Sequence, residues 1–156
     1  MAASAFKTGV TRSFFYSLIN DNTGTPNSGD IEANFGLFDG SGNPKPAAVA
    51  LRNVNLILTD STSNAASFTT SKLNYSISNM PAGGSVLLQK ANGVFYILVW
   101  SEDSSKQNLT VNFGRSHGTI RVYNPTQSSS ATSTLSNASS AAISGAGSLV
   151  ILEVVN

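Results

Sequence analysis

Seven apolar or aromatic residues in a row, VFYILVW at 94–100, restrict what this chain can fold into more than any other stretch. The run is far too short to cross a bilayer, which takes about 20 residues of helix. Its β-branched and aromatic side chains favour a strand. Successive side chains of a strand point to opposite faces, so a strand that is apolar on both needs both covered. Either Val94, Tyr96, Leu98 and Trp100 face the main core, or the odd-numbered set does.

The stretches around this run have the same period of two. Leu73, Tyr75 and Ile77 alternate with Asn74, Ser76 and Ser78. Val86 and Leu88 precede Ala91-Asn92-Gly93, a hairpin signal. Leu109, Val111 and Phe113 alternate with polar neighbours, as do Ile120 and Val122, with His117-Gly118 reading as a turn between them. Two Ser/Thr-rich pieces, 130–136 and 139–144, read as weak edge strands, and 149–155 closes the chain as another apolar strand. Short strands at this regular spacing predict an antiparallel two-layer β-sandwich.

The first sixty residues have a different pattern. Residues 11–19 read as a strand, stopped by a polar loop from Asn20 to Gly29. Asp39-Gly40 signals a turn, and Pro46 suits the first position of a helix. Ala47, Ala50, Leu51, Val54 and Leu58 recur at helical steps, predicting a helix over 46–59 with one apolar stripe. The chain thus divides into a strand–loop–helix segment, 1–64, and a β-sandwich domain, 65–156. A single strand–helix unit cannot bury both its faces alone, so it must pack on something.

Charged residues are only 11% of the 156, and the net charge is +1. No basic cluster exists to bind nucleic acid, and no apolar stretch is long enough for a membrane helix. Serine, threonine, asparagine and glycine cover the surface instead, which suits an extracellular protein that handles neutral polar partners. Cysteine is absent, which excludes disulfides and thiolate chemistry. The sole histidine, His117, reads as a solvent-facing turn residue and cannot make a metal site by itself. No phosphate-loop or dinucleotide spacing of glycines occurs. Asp30 and Glu32 are close in sequence, but a glycosidase pair must face across a cleft, and loop solvation accounts for them better. Glu153 stands in the apolar closing strand, on the face of Leu149, Ile151 and Val155.

The aromatics offer more chemistry. Sugar C–H faces lie against aromatic rings while neighbouring amides and hydroxyls bond sugar hydroxyls. Trp100 is the only tryptophan and ends its strand beside the 101–105 loop, and Tyr96 lies on the same face. Tyr75 and Tyr123 stand at non-core positions or strand ends. These four are the candidate carbohydrate-binding residues. The competing reading of Trp100 and Tyr96 is burial in the core.

The segments GVTRSFFYSLIND at 9–21, NFGLFDGSGNPKPAA at 34–48 and LRN at 51–53 resemble the last strand, loop and helix of a (β/α)8-barrel glycoside hydrolase. Residues 65–156, with SVLLQK at 85–90, the run to Trp100 and the closing apolar strand, resemble the accessory β-sandwich that follows the barrel in many such enzymes. The resemblance implies a secreted setting and polysaccharide degradation. It places the acid/base and nucleophile glutamates at the ends of the fourth and seventh barrel strands, ahead of residue 1. Glu32 matches only the loop of the last unit, so no catalytic residue carries over, and one unit cannot close a barrel of eight. The chain reads as the C-terminal portion of such an enzyme, whether a truncated piece, a gene fragment or a remodelled protein that kept the tail.

Three functions follow as expectations. The first is a non-catalytic carbohydrate-binding or accessory module, partnered by a neutral plant or microbial polysaccharide. The second is a structural β-sandwich domain or truncated fragment with no ligand of its own, joined through its first segment to a barrel domain or to a second copy. The third, an active glycosidase, needs a carboxylate pair that the sequence does not offer. No cofactor, metal, nucleic acid or membrane enters any of them.

Overall fold

The fold is described from a computed structural model, over residues 2–21, 34–80, 83–103, 108–144 and 147–155. It is mainly β, as the alternating pattern predicts. Helix α1 spans Ala2–Lys7 and α2 spans Pro46–Leu58. The strands are β1 Ser76–Ser78, β2 Gly83–Gln89, β3 Phe95–Ser101, β4 Leu109–Tyr123, β5 Ser133–Ile143 and β6 Val150–Val155. All pair antiparallel in one sheet of order β1-β4-β6-β3-β2, with β5 on the other side of β4.

The sheet curls into a half-barrel, and its two layers are limbs of one continuous sheet. The device is β4, which covers both of the strands expected before and after His117. Its first part pairs β1 and its last part pairs β6, while β5 accompanies both. Between Asn112 and His117 the register shifts, and Gly114 takes φ 71°, open to glycine at little cost. A bulge of this kind bends a strand and lets one ribbon serve two layers. His117 is therefore no solvent-facing turn residue. It lies inside the strand at 2% exposure, with its ring edge-on to Phe113. The two Ser/Thr-rich pieces likewise join into the single edge strand β5.

The central run has both faces covered, which resolves the choice of core side. Phe95, Ile97 and Val99 point into the curl, against Leu109, Val111, Phe113, Ile120, Val122, Ile143, Leu152 and Val154. Tyr96 and Leu98 point outward, where Ile57 of α2 closes over them with Ile151. Helix α2 starts at Pro46 as expected, but its inward face is rotated from the predicted stripe. Ala50, Leu51, Val54 and Leu58 are half-buried, Ala47 is exposed, and Asn53 and Ile57 are the buried pair. The curved outer face of the sheet needs one large side chain at the centre of contact, and Ile57 supplies it.

The strand expected at 11–19 is not formed. Ile19 alone makes a parallel bridge, to Phe38, with Phe38 N–H donating to Leu18 at 2.9 Å and Asn20 N–H to Phe38 at 3.0 Å. Among the described residues no sheet edge lies beside this segment, so its β-branched and aromatic residues have nothing to pair with. The six-residue helix α1, which the sequence did not signal, packs on β2 instead. The predicted loop lies mostly at 22–33, outside the described residues, and so do Asp30 and Glu32.

Candidate functional site

The outer face of the sheet is laid out in cross-strand rows, and each candidate aromatic can be placed on them. One row runs Leu88, Tyr96, Glu153, Arg121 across β2, β3, β6 and β4. Alternation along β6 puts Glu153 on this face among apolar residues, in a central strand. The pairing supplies its partners. Arg121 Nη1 lies 2.6 Å from Glu153 Oε1, and the Tyr123 hydroxyl donates a short hydrogen bond to Oε2. Each carboxylate oxygen thus has its own donor, which permits burial of the charge. Burial raises the Tyr123 phenol above its ordinary value, and its bond to the Glu153 anion adds to the effect. Tyr96 is pushed up to about 12, by burial first and by the Glu153 charge second.

This cluster is a structural joint. Tyr96 is 7% exposed beneath α2, and the Lys90 ammonium lies 4.5 Å from its ring centroid. The same ammonium donates to the Ile57 carbonyl at 2.8 Å, satisfying a carbonyl at the negative end of α2. Tyr75 turns to the other side of the sheet, half-buried against the inner core, with its hydroxyl 2.9 Å from Ser85 Oγ. The four aromatics do not assemble into one platform. Tyr96 and Tyr123 meet through Glu153, Tyr75 lies on the opposite face, and Trp100 stands apart at the end of β3.

Trp100 has the surroundings closest to a binding site. It is 9% exposed, yet it lines an open groove of about 910 Å³. The other walls come from Ala3, Ser4, Ala5 and Thr8 of the α1 region, Ser101 and Glu102 after β3, Thr126, and 147–149 before β6. The indole fits because position 84 is glycine, where a β-carbon would come 2.5 Å from Trp100 Cζ2. Lys7 holds its ammonium 5.8 Å from the ring centroid. The indole N–H is buried and has no hydrogen-bond acceptor, which is a costly condition for a donor. The groove thus combines an aromatic floor, small apolar walls, hydroxyl groups and one carboxylate.

Sequence reasoning missed Asn53, whose amide donates to the Pro125 carbonyl at 2.8 Å and docks α2 to the turn after β4. Nothing in the helical pattern distinguishes it from the exposed Asn55. Among the described residues no group of three His, Asp or Glu gathers to hold a metal ion, and no helix is long and apolar enough to cross a membrane. No family model matches the chain, and no curated protein matches it.

Proposed function

We propose that this chain is a non-catalytic accessory module related to polysaccharide-degrading glycoside hydrolases, and that its first segment docks on a barrel domain. The observation that carries the reading is a strip of uncovered apolar residues. Phe14 is 91% exposed and Tyr16 83%, and Phe15, Leu18, Ile19 and Phe35 are also exposed. A patch of aromatics this concentrated is a contact surface. The resemblance of 9–53 to a last barrel unit supplies the occupant, a barrel whose neighbouring strands would flank residues 11–19. The sheet and α2 would then brace that barrel. An extracellular setting fits the sparse charge and the Ser/Thr surface.

The test is complementation. A glycoside hydrolase barrel cut before its last strand is mixed with the full chain and followed by light scattering and by turnover of an aryl glycoside. A 1:1 complex with recovered turnover is expected. No complex at concentrations of tens of micromolar overturns the docking reading.

A second reading, direct contact with a neutral glycan, is favoured by the open groove that Trp100 lines together with Ser4, Thr8, Thr126 and Glu102. Because Trp100 is the only tryptophan, its fluorescence reports this site alone. Titration with cello- and xylo-oligosaccharides should shift the emission, with little change between low and high salt, since neutral sugars offer no charge to screen. Unchanged emission up to millimolar sugar removes this reading and leaves the bracing role.

A further inference from the structure

We propose that Asn74, Asn108 and Asn137 are acceptors for N-linked glycans, carried on one limb of the curled sheet. The inference rests on the extracellular setting proposed above. It is independent of the docking strip and of the Trp100 groove.

Three tripeptides have the acceptor pattern of asparagine, any residue but proline, then serine or threonine: NYS at 74–76, NLT at 108–110 and NAS at 137–139. In a chain this rich in serine and threonine the pattern also arises by chance, so the fold must decide. An N-linked glycan is bulky and hydrophilic, and its asparagine must have an exposed, uncommitted amide. All three asparagines are exposed. Among the described residues no hydrogen bond holds any of their side chains. The asparagines whose side chains are engaged fall outside the pattern. Asn43 donates to Asp39, Asn53 to the Pro125 carbonyl and Asn112 to Ser78. Asn124 accepts from Thr126, and Pro125 between the two breaks the pattern there.

The fold places all three on the limb formed by β1, β4 up to its bulge, and β5. Asn74 lies just before Ser76, which pairs Asn112, and it lines a hollow at the bulge with Lys72 and Gly114. Asn137 comes to the same bulge from the other side of β4, next to Ala138, which pairs His117. Its φ of 51° breaks the regular strand there, in a conformation asparagine tolerates. Asn108 immediately precedes β4, whose Leu109 pairs Ile143. None of the three lines the Trp100 groove or belongs to the exposed strip of Phe14 and Tyr16. Sugars on this limb leave both surfaces bare, and they hydrate an edge strand, β5, that carries no charge.

The donor is an oligosaccharide joined through its anomeric carbon to a lipid diphosphate and used by a membrane transferase. The asparagine amide nitrogen bonds to that carbon and gives up one proton. The carbon–oxygen bond to the diphosphate breaks, and the lipid diphosphate leaves with the electron pair. Nothing is oxidised or reduced. The hydroxyl two residues on is read by the transferase and forms no bond to the sugar.

The experiment uses the full chain, secreted from a eukaryotic cell behind a cleavable signal sequence. Its intact mass is compared with that of the chain made in a bacterial cytosol. The expected excess is one glycan for each of the three sites. Peptide-N-glycosidase should remove them and convert those asparagines, and no others, to aspartate in the peptide map. Ser139→Ala and Thr110→Ala should each lose one glycan, from Asn137 and Asn108 respectively. Both variants keep the asparagine, so the loss reads recognition by the transferase. Thermal midpoints of the glycosylated and bacterial chains should agree, since the sugars displace no native contact. A secreted chain with any of the three sites wholly bare overturns the proposal and leaves the extracellular reading standing. So does secretion of the triple variant Asn74→Gln, Asn108→Gln, Asn137→Gln alone, which would show that the sugars do not fit the fold. Retention of that triple variant as well overturns both the proposal and the extracellular setting.

Discussion

Asn53 and Pro125 are 72 residues apart in sequence and joined by one hydrogen bond, the amide of the helix donating to the carbonyl of the turn at 2.8 Å. The asparagine is buried in a face that otherwise relies on Ile57. Asn53→Ala leaves that carbonyl without its partner. The expected cost is about 1–3 kcal/mol, read as a lower urea midpoint with unchanged far-ultraviolet circular dichroism. A variant as stable as the parent would show that the bond does not hold the helix.

The fit between Trp100 and Gly84 gives a paired expectation. Trp100→Ala removes a buried ring and should cost roughly 3–5 kcal/mol. Gly84→Ala keeps the ring but puts a β-carbon 2.5 Å from its Cζ2, so the indole must move. The single-tryptophan emission should shift red in Gly84→Ala before any unfolding. An unshifted spectrum would place the indole elsewhere.

Alkali should loosen the Glu153 cluster. The Tyr96 phenol loses its proton near 10.0 in the unfolded chain and only at about 12 when folded. Its folded value is raised, so its contribution is fully present below pH 10.0 and is lost as the pH climbs toward 12. Tyr123 is shifted the same way. Thermal midpoints should fall across this window. Phe substitution at both positions should flatten the fall, and an unchanged slope in that double variant would assign the alkaline loss to other groups.

Acid should act at Asp60, between α2 and the β2–β3 hairpin. Its carboxylate accepts from Thr62 Oγ1 at 2.6 Å and from the Ala91 N–H at 2.7 Å, and the Thr62 hydrogen bond is the leading cause of its lowered pKa. A depressed folded value gives stability that is present above the unfolded value of 3.8 and is lost as the pH falls through the folded one. Asp60→Asn should reduce stability at neutral pH and narrow the gap to the parent in acid. A constant gap at all pH values would contradict this role.

The exposed strip should be dispensable for folding. Phe14→Ser with Tyr16→Ser should change stability by no more than about 0.5 kcal/mol, as is usual for surface sites. The same pair should abolish complementation of the truncated barrel. A large loss of stability instead would mean that these rings pack within the chain.

Much of the sheet is legible in the sequence because alternation is a local signal. The pattern Leu109, Val111, Phe113 states which side chains face inward, and the hairpin at Ala91-Asn92-Gly93 follows from the turn residues. What is not local is lost. The pair His117-Gly118 has turn chemistry, yet the bulge at Gly114 absorbs the irregularity and β5 pairs on through it, so tertiary pairing overrides the local signal. Residues 11–19 fail in the opposite sense. Their composition suits a strand, but a strand needs a neighbour, and the sequence cannot say whether one lies alongside. For Trp100 and Tyr96, alternation gives the shared face. Only the packing of α2 over Tyr96 and of α1 beside Trp100 separates a covered ring from one that lines a groove. The partnership of Glu153 with Arg121 and Tyr123 becomes visible only once β6 is known to lie beside β4.

The long strand β4 also sets how the molecule comes apart. Val111 and Val122 lie in different limbs but on one uninterrupted backbone, and β5 zips alongside both. A limb cannot peel away without tearing the ladder of the other, so the amides of both should exchange with solvent through one shared opening event. Residues 17–20 and 36–45, bound mainly to each other through Phe38 and Lys45, should open ahead of that event and trade their protons first. The rigid ribbon and its looser leader thus have separate clocks, and a partner can order the leader without disturbing the ribbon.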